Sequence, residues 1–296
     1  MDFEIKTVSI DNKDYPKKLK TIKTAPKLLY YCGVLPSDAE IGIAIVGSRI
    51  ASIYGVRVCK EIGNDIANSN ATIISGLAKG IDSIAHECAV SKGKRTIAVL
   101  GSGIDKSSLY PKENIRLAQE IIANGGLIIS EYPPQSKPTR YSFPDRNRII
   151  AGLSEAVLVI EARMKSGSLI TADYAKNQGK KLFAVPNSIH DKNSEGTNSL
   201  IKNGANLTTC AQDIFEILKR NDLPLIYKSD KKIEVDGDNE NENHILKILK
   251  EAQSPVAMER IIKVSKLSPS DTIATITILE IKDKIIDIKD HNYLIK

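Results

Sequence analysis

The chain has 296 residues, 42% of them hydrophobic and 26% charged, with a formal net charge of +6. That length holds two domains or one large domain with an appendage, and the composition is ordinary for a globular protein. No apolar run approaches the roughly 18 residues of a membrane span, and the N-terminus mixes charges without an apolar signal core, so a cytoplasmic protein with no membrane partner is expected.

In chain order, residues 1–40 carry turn-forming prolines and one short apolar run in "DYPKKLKTIKTAPKLLYYCGVL". They are expected to form an extension packed against the edge of a sheet. From 41 to 225 the apolar runs "IGIAIVG", "ATIISG", "RTIAVLG", "GLIIS", "EAVLVI" and "KLFAVP" alternate with helical periodicity over 53–67, 82–91 and 113–123. Short β-branched runs bounded by Gly, Ser or Pro read as parallel strands buried on both faces. Their alternation with helices predicts a doubly wound, Rossmann-like, mostly parallel α/β sheet of six or so strands.

Residues 226–243 are charged and poor in large apolar side chains, the composition of a flexible linker. Beyond it, over 244–296, "HILKILKEA" and "SPVAMERIIKV" have helical spacing. Ser268 and Pro269 then cap a third helix despite its β-branched content. "KIIDIKDHNYLIK" follows as a hairpin, giving the order of a winged helix-turn-helix. This last helix, 269–280, has no Lys or Arg, which argues against major-groove reading. Residues 240–296 hold nine Lys/Arg and nine Asp/Glu, so the basic excess lies entirely before them. An excess of that kind suggests a polyanionic partner.

Chemistry on an open parallel sheet sits beyond the carboxyl ends of the strands. The loops there are Gly47-Ser48-Arg49, Ser75 to Gly80 with Lys79, Gly101-Ser102-Gly103, Ser130 to Pro133, and Glu161 to Ser168 with Lys165, Ser166, Gly167 and Ser168. Glycines let an anion approach the backbone amides, helix N-termini add a favourable field, and cations complete a phosphate rim. Gly101 to Gly103 lacks the third glycine of a dinucleotide fingerprint, "GLAKGID" is no P-loop, and no nucleophile elbow occurs. His86, three and four residues after Ser83 and Asp82 inside a helix, reads as a local hydrogen-bonding partner. The four cysteines (Cys32, Cys59, Cys88, Cys210) are widely spaced without a Cys-x-x-Cys pair, and the four histidines are scattered. Reduced, packed thiols are therefore expected, with no metal and no cofactor.

The stretch "YSFPDRNRIIAGL" poses a problem, because Arg146 precedes Ile149, Ile150 and Leu153 at helical spacing. A cation on an apolar face must have a partner. With a helix starting at Pro144, the expected partner is Glu131 or Glu161, while Arg148 points elsewhere, free for a phosphate backbone. Phe143 reads either as a hydrophobic staple or as a platform for a base. Aromatics beside cations build sequence-tolerant single-strand binding.

The ordered series "VGSR", "SGLAKGIDSIAH", "AVLGSGID", "GGLIISEYPP", "FPDRNRIIAGLS", "SGSLITA", "FAVPN" and "GTNSLIKNGA" closely resembles the DprA/Smf family of DNA-processing proteins over residues 15–215. The resemblance implies a non-enzymatic single-stranded DNA-binding protein, a homodimer that delivers its strand to RecA recombinase in natural transformation. It further implies that Arg49 contacts phosphate, that Phe143 meets a base, that Arg140 adds a basic position, and that Gly101 to Gly103 touches DNA. It divides Arg146, Asn147 and Arg148 between scaffold and contact. On this resemblance, the family's frequent N-terminal helical domain is expected to be reduced to the short extension. The competing expectation is a nucleotide phosphoribohydrolase like the lysine-decarboxylase-like enzymes, which share this sheet. Their Pro-Gly-Gly-x-Gly-Thr loop is replaced here by "EARMKSGSLITA".

Overall fold

The structure, a computed structural model, describes residues 4–219, 237–252, 255–282, 284–289 and 291–295. The chain divides into two compact units, Met1–Tyr227 and Lys228–Lys296. The first contains, in order, β1 (Lys6–Ser9), α1 (Lys17–Lys20), β2 (Leu28–Gly33), β3 (Ile41–Val46), α2 (Ile53–Asn68), β4 (Ala71–Ser75), α3 (Ile81–Val90) and β5 (Thr96–Leu100). It continues with a 3-10 turn, α4 (Ile115–Ala123), β6 (Leu127–Ser130), α5 (Ser142–Leu153), β7 (Ala156–Val159), α6 (Gly167–Asn177), β8 (Lys181–Ala184), α7 (Glu195–Lys202), β9 (Asn206–Leu207) and α8 (Ala211–Leu218).

These strands form one sheet in the order β1-β2-β6-β5-β4-β3-β7-β8-β9. From β6 to β9 every pairing is parallel, as the apolar runs predict. β3, β4 and β5 are almost wholly buried because helices cover both faces. One core layer packs α2, α3 and α8 on the sheet through Cys59, Ile62, Ala85 and Phe215. The opposite layer holds Leu19, Ile149, Ile150, Leu153 and Ala172, from α1, α5 and α6. The N-terminal extension does more than pack at the edge. β2 pairs antiparallel with β6 and β1 with β2, so it continues the sheet. Chain order runs outward from β3 through β4 and β5 to β6, then resumes on β3's other side with β7. β3 and β7 therefore flank a topological switch point, where a crevice opens.

The second unit contains α9 (Glu240–Ala252), β10 (Val256–Ala257), α10 (Met258–Ser265), α11 (Pro269–Ile281), β11 (Ile285–Lys289) and β12 (Asn292–Ile295). Its strands form a separate sheet ordered β10-β12-β11. Ser268 caps α11 by accepting from Asp271 N, with Pro269 at the first position, so cap chemistry overrides the strand propensity of "TIATITILEI". Residues 226–236 of the expected linker lie outside the described residues. The remainder is shorter than expected, because α9 already starts at Glu240, where the Asn239 side-chain oxygen accepts from Glu242 N at 2.9 Å.

Candidate functional site

A cavity of about 630 Å³ occupies the switch point. Its floor and walls come from the turn after β3 (Gly47 to Ile50), the loop after β7 with the start of α6 (Arg163, Lys165 to Ser168), and the first two turns of α5 with Arg140 before it. Five cationic side chains line it, Arg49, Arg140, Arg146, Arg163 and Lys165, against one carboxylate, Asp82. Local structure aims these groups. Gly80 adopts φ +77°, and a Cβ there would collide with Ser48 O, so only glycine lets the start of α3 lie on the Ser48–Arg49 turn. Ile81 N then donates to Ser48 O at 3.1 Å. Ser166 caps α6 by accepting from Ser168 N, and a Cβ on Gly167 would meet nothing within 4 Å. The positive end of α6 therefore opens on the cavity, an arrangement suited to an anion.

Phe143 is half-buried at the wall. The Arg49 guanidinium lies 5.1 Å from its ring centroid, and the half-exposed Tyr110 ring lies 5.7 Å away at 51°. Arg140 stacks on the exposed Tyr141 at 4.6 Å. Two cation–aromatic pairs thus stand close to the cavity. Sequence reasoning gives Tyr110, Tyr141 and Arg163 no role of their own. Arg163 is visible in the sequence as a second cation in the loop holding Lys165, whereas Tyr110 lies in a loop whose approach to α5 no local pattern signals.

α5 begins at Ser142, two residues earlier than expected, because Ser142 N donates to Thr139 Oγ1 at 3.0 Å and Ser142 Oγ accepts from Thr139 N. Pro144 then falls in the first turn, where its missing N–H costs nothing. The expectation that Arg146 pairs with Glu131 or Glu161 is overturned. Arg146, 4% exposed, donates to Gly76 O at 2.7 Å and to Val99 O, at the ends of β4 and β5. Its Nε donates to Asn147 Oδ1, and Asn147 Nδ2 donates to Gly167 O at 3.2 Å. Burial draws this guanidinium down to about 10, partly offset by the field of Asp82, so it stays charged at neutral pH. Burial raises Asp82, opposed by Arg146 and by the amides of Ala78 and Gly76.

Arg148 takes the partner expected for Arg146. Its Nη2 donates to both Glu131 oxygens, at 2.8 and 2.6 Å, away from the cavity wall. Glu161 is fully buried and accepts from Ser52 N at 3.0 Å and from Ser52 Oγ, so it serves the N-terminus of α2. His86 is also buried, and its partner is not local: Nδ1 lies 2.8 Å from Thr96 Oγ1 on β5, while Ser83 and Asp82 engage Gly80 O and Gly76 N. Burial, with Arg146 adding to it, lowers the imidazole to about 3, which keeps it neutral.

The structure brings Ser48, Arg49, Arg140, Phe143, Arg146, Asn147, Lys165, Ser166, Gly167 and Ser168 to one cavity. It does not bring Lys79, Gly101, Ser102, Gly103 or Arg148 to that wall. Lys79 lies outward, paired with Glu113 at 2.6 Å. The 101–103 turn is closed over by its neighbours, with Gly103 N donating to Ser136 O and Ser130 Oγ donating to Ser102 O. A Cβ on Gly101 would press on Ser142 O and Phe143, so that glycine serves the packing of α5.

A basic crevice at the switch point of a Rossmann-like sheet, with an aromatic at its wall, defines an α/β protein equipped to hold an extended anion. The chain belongs to the DprA/Smf family, described as DNA recombination-mediator protein A, whose model matches residues 6–219. It is 46% identical over 206 residues to the DNA processing protein DprA of Streptococcus pneumoniae, covering 70% of this chain and 72% of that protein. The X-ray structure of the Streptococcus pneumoniae protein superposes with a TM-score of 0.67 at 43% identity, over 72% of this chain and 74% of that one. DNA processing protein A from Helicobacter pylori, whose structure was described for its single-stranded DNA binding mode, has a TM-score of 0.64 at 34% identity, over 74% of this chain and 98% of that one.

Proposed function

We propose that the cavity binds single-stranded DNA, and that the chain delivers the strand to RecA recombinase during natural transformation as a homodimer, without covalent chemistry. The observation that carries the binding is the gathering of five cations and one α6 N-terminus around a single cavity with Phe143 at its wall. Arg49, Lys165 and the amides of Ser166 to Ser168 take phosphates, Ser48 and Arg140 flank them, and Phe143 takes a base. Arg146 and Asn147 brace the floor. Arg148 and the 101–103 turn support these groups through the packing of α5, and Lys79, paired with Glu113 on the outside, is left out of the binding wall. The single-strand binding described for the Helicobacter pylori relative supports this reading, and the RecA and homodimer roles rest on family membership. Hydrolysis is disfavoured because Glu161 is engaged by Ser52 and Asp82 by the amide of Gly76.

The test is anisotropy of labelled single- and double-stranded oligonucleotides across a salt series, with wild type, Arg49→Ala and Phe143→Ala. Single-strand affinity is expected to fall with salt with a slope of about −0.7 per neutralised phosphate, and Arg49→Ala should flatten it by about that amount. Phe143→Ala should cost about 1–3 kcal/mol. Equal affinity for duplex and single strand overturns the proposal.

A further inference from the structure

Tyr54, Tyr110 and Tyr141 are the exposed tyrosines among the described residues, at 40%, 46% and 68%. Two of them have a use for the polar end. Tyr54 Oη donates to Pro186 O at 2.8 Å, and Tyr141 Oη accepts from Arg140, which also stacks on its ring. The Tyr110 hydroxyl has no such partner among the described residues, and its aromatic contact there is with Phe143. An exposed ring without a bonded hydroxyl adds little to the fold, so its placement needs another reason.

The backbone beneath Tyr110 is braced on both sides. Ahead of it, the Asp105 carboxylate accepts from Ser107 Oγ, from Ser108 N at 3.2 Å and from Ser108 Oγ at 3.1 Å. Leu109 is buried in the core with Leu100, Ile104 and Leu117. Behind it, Asn114 Nδ2 donates to Leu77 O at 2.9 Å and to Ala78 O at 3.3 Å. A ring held in place before binding loses little freedom when a ligand stacks on it.

The Tyr110 and Phe143 centroids are 5.7 Å apart, with their planes at 51°. A base sandwiched between two parallel rings needs about 7 Å, twice the roughly 3.4 Å rise of stacked nucleotides. These rings therefore cannot share one base, but each can offer a face to a different one. Phe143 lines the cavity, with Arg49 5.1 Å from its centroid, whereas Tyr110 stands outside the lining. Beside Tyr110, Lys79 holds Glu113 at 2.6 Å. That bond raises the Lys79 ammonium, and the field of the Tyr110 phenol adds a smaller share. Charge at this point is cancelled within a pair, and what Tyr110 offers is its ring.

We propose that Tyr110 is a second base-stacking platform, which takes the nucleobase next to the one on Phe143 as the strand leaves the cavity. This rests on the single-strand binding proposed above and extends it beyond the cavity.

The chain has no tryptophan, so Tyr110→Trp supplies a single reporter at the platform and Val34→Trp a control. Val34 is 57% exposed and follows Gly33, which pairs with Leu127 at the start of β6. It therefore lies at the amino edge of the sheet, opposite the cavity. Titration with unlabelled oligothymidylate should quench the Tyr110→Trp emission in step with binding and leave the Val34→Trp emission unchanged. In anisotropy with labelled strand, Tyr110→Ala should weaken binding about 5- to 150-fold, the span of about 1–3 kcal/mol per stacked base. The salt slope should stay as in wild type, because no phosphate contact is lost. Tyr110→Phe, which keeps the ring, should restore most of the affinity. Binding by the Tyr110→Trp protein without quenching, or a Tyr110→Ala affinity within about twofold of wild type, overturns this proposal and leaves that of the cavity standing. A salt slope flattened by Tyr110→Ala as much as by Arg49→Ala overturns it as well. A wild type that does not prefer single strands overturns both.

Discussion

Replacing Arg148 by Met separates the scaffold from the binding site. Met keeps most of the aliphatic stem but removes two charge-assisted bonds to Glu131, at 2.6 and 2.8 Å. Breaking a buried ion pair from one side costs about 3–5 kcal/mol. Here the Arg148 side chain is 8% exposed and that of Glu131 is 26% exposed, so water relieves part of the stranded carboxylate. The expected loss is therefore about 2–3 kcal/mol, or roughly 4–12 °C in Tm for a unit of this size.

The assay is urea and thermal unfolding followed by circular dichroism, reading the transition of the larger unit. A double-mutant cycle with Glu131→Gln should return a coupling of about 1–3 kcal/mol. Single-strand affinity measured well below the transition should stay within about twofold of wild type, a difference of less than roughly 0.5 kcal/mol. An Arg148→Met protein that unfolds like wild type yet binds tenfold more weakly would refute the assignment of Arg148 to the scaffold.

The buried His86 makes stability fall with acid. Its folded value of about 3 lies below the ordinary 6.5, so the unfolded chain takes up the proton first. Stability present above pH 6.5 is lost toward pH 3, by up to about 1.4 kcal/mol per pH unit. His86→Gln should flatten that slope in denaturant titrations at pH 6 and pH 4, and an unchanged slope rejects it. Gly80→Ala forces both a left-handed strain and a collision with Ser48 O. It should cost about 1–3 kcal/mol of stability and also weaken single-strand binding by displacing Arg49. Binding at wild-type strength refutes the second half. Because Arg49 rests on the Phe143 ring, each single alanine variant also frees the other group. The double variant should therefore depart from the sum of the singles by about 0.5–1 kcal/mol, and strict additivity rejects the coupling.

The central strands are legible because they are buried on both faces and bounded by small residues, which leaves an unbroken apolar run. β1 is not, since Val8 alone among its four residues is buried and one inward side chain sets no period. The loops at the carboxyl ends can be read as anion-binding because composition survives without knowledge of contacts. Their convergence is only partly readable: the turn at 101–103 has the same glycines and serine but packs under α5. The arginine assignment fails for a related reason. The acceptors of Arg146 are backbone carbonyls 70 and 47 residues away, and carbonyls have no sequence signature. A search among carboxylates can therefore only propose Glu131 or Glu161.

Those carbonyls also explain why an arginine belongs on the apolar side of α5. The carboxyl edge of a parallel sheet presents unpaired C=O groups, and here Asp82 adds a carboxylate beside them. Left alone, these would make the crevice floor negative and oppose any anion. Arg146 neutralises that floor from below, taking Gly76 O and Val99 O on one guanidinium nitrogen and acting on Asp82 through space. Asn147 passes the same positioning on to the Gly167 carbonyl at the start of α6. With the internal acceptors satisfied, the charges of Arg49 and Lys165 at the cavity wall remain available to a phosphate.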